Sequence, residues 1–355
     1  MSTTTTEAPR LALNLNQAPK LPSNSQLEWI PLHDTYGAEC RGIDFTSLPL
    51  SDNIIDEIQA GIAKYGVVVF RNTGLSDPDF VSIGERLGEI ADAGQSRRFP
   101  TAKLGDPSNL YLDGSIVKPG ELRWFLAKET GLFHVDASYD ARRVRLTGLI
   151  AHQLPPRGTG GATEFSDTRS VYADLDDETK ALIQGKVGVH SHFHSRRVAV
   201  PTFPTFAALD PNDYPMSSHL IAQTHRGSGR PVLYIASHLH HIDGMPEPES
   251  SELILKLRRK VEEEKYLLKV YYEQPGDVVI WDNTATMHRA GKGEGEGWAG
   301  KYVRDIRKWT VFDNSPEEWG LNDKKTEKFL AGPVIQAKHD EIYGQDGKVW
   351  DFDED

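Results

Sequence analysis

The sequence predicts a mainly β fold with flanking helices, best described as a double-sheet jelly roll. Three observations carry this. β-Branched or aromatic runs are bounded by Gly, Pro, Asp or Asn; they gather in the middle and C-terminal half; and helices do not alternate with them as a doubly wound parallel sheet requires. In chain order the expected strands are Gly66–Phe70, Leu146–Leu154, Val187–His194, Pro231–Ser237, Leu268–Glu273, Val278–Asp282 and Tyr302–Phe312. Pro275-Gly276-Asp277 is the expected tight turn between two of them, since Pro presets one dihedral and Gly accepts a positive φ. Four helices are readable. Ile54, Ile58 and Ile62 share one face of Asp52–Lys64, and similar patterns span Asp79–Ile90, Asp176–Gln184 and Ser250–Glu264.

Residues 1–25 are rich in Thr, Pro, Asn and Ser, too polar to offset chain entropy by burial, and read as a flexible leader. Residues 26–335 read as one domain without internal repeats, and 336–355 as an acidic tail or a strap docked by Trp350 and Phe352.

Composition narrows the function. Forty Lys and Arg against 52 Asp and Glu give a net charge of −12. This disfavours nucleic acid, because phosphate neutralisation needs clustered cations, and the densest basic run, Lys256–Lys260, is followed at once by Glu262–Glu264. No apolar run approaches the ~20 residues of a membrane span, and the start of the chain lacks the basic and apolar segments of a signal peptide. A single cysteine, Cys40, has no partner in the chain, so a reducing, cytoplasmic setting is expected.

The chemistry is expected at His134-Val135-Asp136 and His288. On an extended segment residues i and i+2 point to the same side, so His134 and Asp136 can reach one ion while Val135 faces away. A second His from another strand completes three donors. Two imidazoles and one carboxylate on a single face of an octahedron leave the opposite face open, the arrangement of non-haem Fe(II) oxygenases, so iron is the expected metal. A His-X-Asp triplet alone is weak, and the chain holds a second, His241-Ile242-Asp243. That copy leads into Gly244-Met245-Pro246 and reads as turn chemistry. Histidines 190, 192 and 194 are expected along one face of a strand and have no assigned role.

The neighbours of the first triplet are more specific. Leu132-Phe-His-Val-Asp-Ala-Ser-Tyr139, Gly160-Gly-Ala-Thr-Glu-Phe-Ser-Asp-Thr-Arg169, Thr224-His-Arg-Gly-Ser-Gly-Arg230, Gly276-Asp-Val-Val-Ile-Trp-Asp-Asn283, Met287-His-Arg289 and Arg304-Asp-Ile-Arg-Lys-Trp-Thr-Val311 follow one another, with His134 and His288 separated by 154 residues. From Gly66 to Asp313 the chain thereby resembles the taurine/2,4-dichlorophenoxyacetate dioxygenase family of Fe(II)- and 2-oxoglutarate-dependent oxygenases, more closely its 2,4-dichlorophenoxyacetate branch. The resemblance implies a double-stranded β-helix, with His134, Asp136 and His288 as iron ligands. It implies Arg304 and Thr163 as partners of the distal carboxylate of 2-oxoglutarate, roles that suit a planar guanidinium and a hydroxyl. Trp281 and Asn283 are expected to buttress the strand carrying His288.

The implied reaction oxidises an unactivated C–H bond of a small carboxylate-containing molecule, with O2 consumed and succinate and CO2 formed. Hydroxylation is the default outcome; desaturation or ring formation on an amino acid or secondary metabolite is the alternative within the class. A Zn-binding or non-catalytic jelly roll is the alternative outside it. Homologues are often dimers or larger, so a homo-oligomer is an expectation from the resemblance.

Two departures bear on substrate. Family members often carry Arg four residues after the co-substrate Arg, where this chain has Lys308; an acidic substrate would there be held by a point charge, and an exposed strand end or an internal ion-pair partner is a reading of nearly equal weight. Trp309 stands where a smaller residue is usual and would narrow or reshape a pocket if it pointed inward, although strand alternation puts it on the face opposite Arg304, Ile306 and Lys308. The stretch Gly291–Gly300, Gly-rich with Lys292, Glu294, Glu296 and Trp298, is longer than usual; a solvent loop is the simpler reading, a lid or partner contact the alternative. Arg97, Arg98, Arg123 and Trp124 lie just ahead of the iron motif, in a region that often contributes to substrate selection in the family, and have no assigned role.

Overall fold

The computed structural model describes residues 21, 25, 27–93, 98–291, 293–295 and 297–344. The expected strap residues Trp350 and Phe352, together with Arg97, Lys292, Glu296 and most of the expected leader, lie outside these.

The larger sheet has six strands in the order Glu28–Pro31, Ala38–Arg41, Val67–Phe70, Val278–Asp282, Val144–Gln153, Asp305–Phe312. Neighbours are antiparallel except Ala38–Arg41 with Val67–Phe70. A three-stranded antiparallel sheet, Leu267–Val270, Thr163–Asp167, Thr286–Ala290, forms part of the opposing layer. Between the two layers pack Val67, Val69, Leu149, Phe165, Leu268, Val279, Trp281 and Ile306. This two-layer core is the jelly-roll arrangement that the β-rich sequence predicts.

The central strands read as continuous apolar runs because both of their faces are covered. On the outer face of the large sheet lie two helices, Asp52–Tyr65 and Asp77–Leu87, whose Ile55, Ile58, Ile62, Phe80 and Ile83 meet Val68, Phe70, Ile150, Ile280 and Trp309. Their starts are set locally. Ser51 accepts from the Ile54 amide, and Ser76 with Asp79 forms a reciprocal capping box. Gly66, at φ 74°, then turns the first helix directly into the strand Val67–Phe70.

Trp309 lies in this outer core, fully buried and tilted against Phe80 at a centroid distance of 5.4 Å. It does not reshape the interior pocket. Its cross-strand partner is Gly148, where an added Cβ would lie 2.4 Å from the indole. Gly148→Ala is therefore expected to destabilise by about 1–3 kcal/mol through overpacking. A lower urea midpoint at unchanged slope checks this.

Several expected boundaries move. Pro231–Leu233 is shorter than expected, and the last strand begins at Asp305 rather than Tyr302. The largest correction is at the alternating histidines. The strand Val187–His190 stops, Ser191 accepts from the His194 amide as an N-cap, and His192–Ala199 is helical. Helices Leu122–Lys128, Thr168–Ala173, Pro204–Ala207 and Ala331–Tyr343 were also not readable; the last runs across residue 335. Among the described residues no helix is long and apolar enough to cross a membrane.

Candidate active site

His288 lies in the strand Thr286–Ala290, paired with Phe165. His134 is extended and forms an isolated antiparallel bridge with it: the His134 amide donates to the His288 carbonyl at 2.9 Å, and the His288 amide returns a bond of 2.8 Å. This exchange brings both side chains to one face, with ring centroids 4.2 Å apart. Val135 turns the other way, into a core with Phe133 and Tyr234, and Asp136 returns to the histidine side. Candidate ligand atoms of His134, Asp136 and His288 all lie within 4.8 Å of one another, and all three residues are buried. Among the described residues this is the one such group, and His241 and Asp243 are outside it. His241 sits in the strand Leu239–Ile242 opposite Val189, and the Asp243 amide donates to the Val187 carbonyl, as structural readings require.

Each donor is held from behind. His134 Nδ1 lies 2.7 Å from the Leu132 carbonyl. A carbonyl only accepts, so Nδ1 carries the proton and Nε2 presents its lone pair, 4.0 Å from Asp136 Oδ1. The His288 ring packs against Trp281 at 4.5 Å, with its Nε2 3.8 Å from Asp136 Oδ2. Asp136 receives Thr147 Oγ1 at 2.7 Å, and Thr147 Oγ1 in turn accepts from Asn283 Nδ2 at 2.9 Å. Asn283 Oδ1 accepts from the Asp136 amide at 3.0 Å and from Trp281 Nε1 at 3.2 Å. The expected buttress of Trp281 and Asn283 is thus a set of hydrogen bonds reaching Asp136 itself.

Lys308 Nζ stands 3.4 Å from Asp136 Oδ1. Burial alone would raise the Asp136 carboxyl; the Lys308 ammonium and the Thr147 hydrogen bond oppose it, and the group lies well below the usual carboxylate range. Burial pushes both histidines down, His288 further because His134 adds to it. Two neutral imidazoles and an ionised carboxylate, buried and converging, fit a divalent metal ion.

Arg304 precedes the last strand and is buried, which lowers its pKa. Its backbone is locked to Asn109: Arg304 N donates to Asn109 Oδ1 at 2.8 Å and Asn109 N to the Arg304 carbonyl at 3.2 Å. The guanidinium spends only Nε, on the Gly161 carbonyl at 3.3 Å, and meets no carboxylate among the described residues. It lies over the rings of Tyr272 and Trp298, at 5.9 and 5.7 Å. Tyr272 also links it to Thr163, whose Oγ1 is 3.4 Å from the Tyr272 hydroxyl. Tyr272 and Thr147 carry no motif in the sequence and could not have been singled out.

Arg304, Trp124, Leu126, Arg196 and Trp298 line a cavity of about 380 Å³. Arg123 also lines it but is committed to Asp106 at 3.3 Å, and Arg98 to Asp106 and Asp305 at 2.9 and 3.1 Å. These two arginines therefore brace the wall. The 291–300 stretch is not a plain solvent loop, because Trp298 faces Arg304. The alternating histidines serve a buried network beside the metal group. His190 Nδ1 and His238 Nδ1 lie 3.0 and 2.9 Å from Ser138 Oγ, His238 Nε2 meets Glu129 at 3.0 Å, and His192 stacks on Tyr139.

Residues 28–299 match the taurine catabolism dioxygenase TauD, TfdA family. The chain is 30% identical over 245 residues to the alpha-ketoglutarate-dependent 2,4-dichlorophenoxyacetate dioxygenase of Burkholderia sp. strain RASC, covering 68% of this chain and 81% of that one. Identity to the enzyme of that name from Cupriavidus pinatubonensis is 27%, over 80% of this chain and 97% of the relative. A crystal structure of AAD-2 in complex with Mn(II) and N-oxalylglycine superposes with a TM-score of 0.72 at 27% identity, over 82% of this chain and 98% of that one. Motif order, architecture and these likenesses agree: the chain belongs to the TauD/TfdA family and is a dioxygenase that uses Fe(II), 2-oxoglutarate and O2 on a small molecule.

Proposed function

We propose that His134, Asp136 and His288 hold the iron, that Arg304 and Thr163 hold the distal carboxylate of 2-oxoglutarate, and that the substrate is a small carboxylate-containing molecule met by Lys308. The observation that carries this reading is a buried guanidinium, Arg304, with no acidic partner among the described residues, in a chain that also buries a two-His, one-carboxylate group. An isolated buried charge costs several kcal/mol, so its retention argues for an anion that arrives from outside.

Iron with 2-oxoglutarate supplies the oxidising power when bound. The residues of this chain supply placement. Thr147 and the Asn283 relay keep Asp136 ionised and oriented. The Leu132 carbonyl fixes the His134 tautomer, and Trp281 fixes the His288 ring. Lys308 is one-third exposed and closest to Asp136, so once a cation shares that carboxylate its ammonium can turn to a substrate anion beside the reacting centre. Hydroxylation is the outcome we assign. The cytoplasmic setting is proposed from the cysteine count alone, a single Cys40 with no partner in the chain.

A succinate-release screen of small acids and amino acids, with mass analysis of products, tests substrate and outcome together. For an acid that turns over, Lys308→Gln is expected to raise KM about tenfold while changing KM for its methyl ester less than threefold. Equal effects on acid and ester would remove Lys308 from substrate recognition.

A further inference from the structure

We propose that Trp298, together with Tyr272, forms an aromatic clasp on the Arg304 guanidinium and is a positioning residue for the distal carboxylate of 2-oxoglutarate. The inference rests on reading Arg304 as the co-substrate's partner. Its argument starts from donors. A carboxylate beside Arg304 would neutralise the cation and occupy its N–H groups. An aromatic face stabilises the same charge through the ring quadrupole and leaves the terminal nitrogens free for a ligand. Arg304 has two such rings, one backbone acceptor on Nε and no acid among the described residues.

Trp298 is held where this role needs it. The Gly291 amide donates to the Ala162 carbonyl at 2.8 Å, the Glu294 amide to the Thr159 carbonyl at 3.2 Å, and Lys118 Nζ to the Gly300 carbonyl at 2.8 Å. The Glu294 carboxylate pairs with Lys269. Beneath the indole lies Gly160, at φ 103°. A Cβ there would stand 3.0 Å from Gly293 Cα and 3.2 Å from Trp298 Cδ1, so the absence of a side chain lets the stretch sit against the 160–161 backbone. Gly161 supplies the carbonyl that Arg304 Nε contacts. One face of this stretch thus packs on the segment leading to Thr163, and Trp298 lines the same cavity as Arg304. Trp298 closes the carboxylate end to water and keeps the guanidinium plane in place.

The test is binding of 2-oxoglutarate to the Mn(II)-loaded full chain, followed by calorimetry and by tryptophan emission. Trp298→Ala is expected to raise the half-saturating 2-oxoglutarate concentration about tenfold with Mn(II) retention unchanged. Trp298→Phe keeps an aromatic face, so half-saturation should stay within threefold of wild type while most of the emission change disappears. Half-saturation within twofold of wild type in Trp298→Ala, or a full emission change in Trp298→Phe, overturns the clasp. Arg304→Lys run in parallel separates the two levels. If it weakens binding while both Trp298 variants behave as wild type, only the clasp falls; if it binds like wild type, the assignment of Arg304 itself fails and the clasp falls with it.

Discussion

His134→Ala and Asp136→Ala each abolish the weak visible absorption expected when Fe(II) and 2-oxoglutarate are added without oxygen, and each lowers turnover roughly a thousandfold or more. A protein–metal bond is worth several kcal/mol, and each 1.4 kcal/mol is a factor of ten. The two variants differ in what they leave behind. His134→Ala keeps the Asp136–Lys308 pair. Asp136→Ala leaves the Lys308 ammonium beside His134 and His288 with no anion, so it should exclude a cation more completely than His134→Ala does. Anaerobic absorption titrations and iron content after gel filtration check both points; an unchanged band in both variants would remove the proposed ligands.

Arg304→Met is expected to raise the 2-oxoglutarate requirement about a hundredfold or more. Removing one partner of a buried charged pair costs ~2–5 kcal/mol. Iron binding should change little, since Arg304 makes none of the contacts to His134, Asp136 or His288. The same substitution removes a desolvated cation whose guanidinium, among the described residues, makes a single hydrogen bond, from Nε to the Gly161 carbonyl. The ligand-free protein should therefore be as stable as wild type or more so, while its ability to be stabilised by 2-oxoglutarate is lost. Thermal melts with and without 2-oxoglutarate and Mn(II) separate the effects. A large loss of stability in the ligand-free variant would show that Arg304 serves the fold instead.

Legibility followed the range of the interactions. His134-Val135-Asp136 was readable because the period of an extended chain is local: two donors on one side, Val135 in the core on the other. The side of the strand chosen by Trp309 was readable for the same reason. The partners that make the group work were not, because they are cross-chain contacts without spacing. Thr147 reaches Asp136 from a neighbouring strand, and Tyr272 joins Thr163, 109 residues away, to Arg304. The segment 190–194 misled by its own period. His-X-His-X-His imitates a strand face, but Ser191 offers a side-chain acceptor to His194 N, and the cap wins over the alternation. Helix Ala331–Tyr343 was hidden by Gly332 and Pro333, which usually break helices; in the first turn a missing N–H costs nothing.

The reciprocal backbone bonds between His134 and His288 have a further consequence for how such a centre can diverge. The two imidazoles are spaced by a pair of peptide groups that bond to each other directly, so their separation does not depend on the length of the 153 intervening residues. Outside Asp136, Thr147, Trp281, Asn283 and the strands that carry them, that excursion can gain or lose helices and exchange its surface while the spacing of the two imidazoles is kept. Novelty in what is oxidised can therefore accumulate in the excursion while the site of oxidation stays in register.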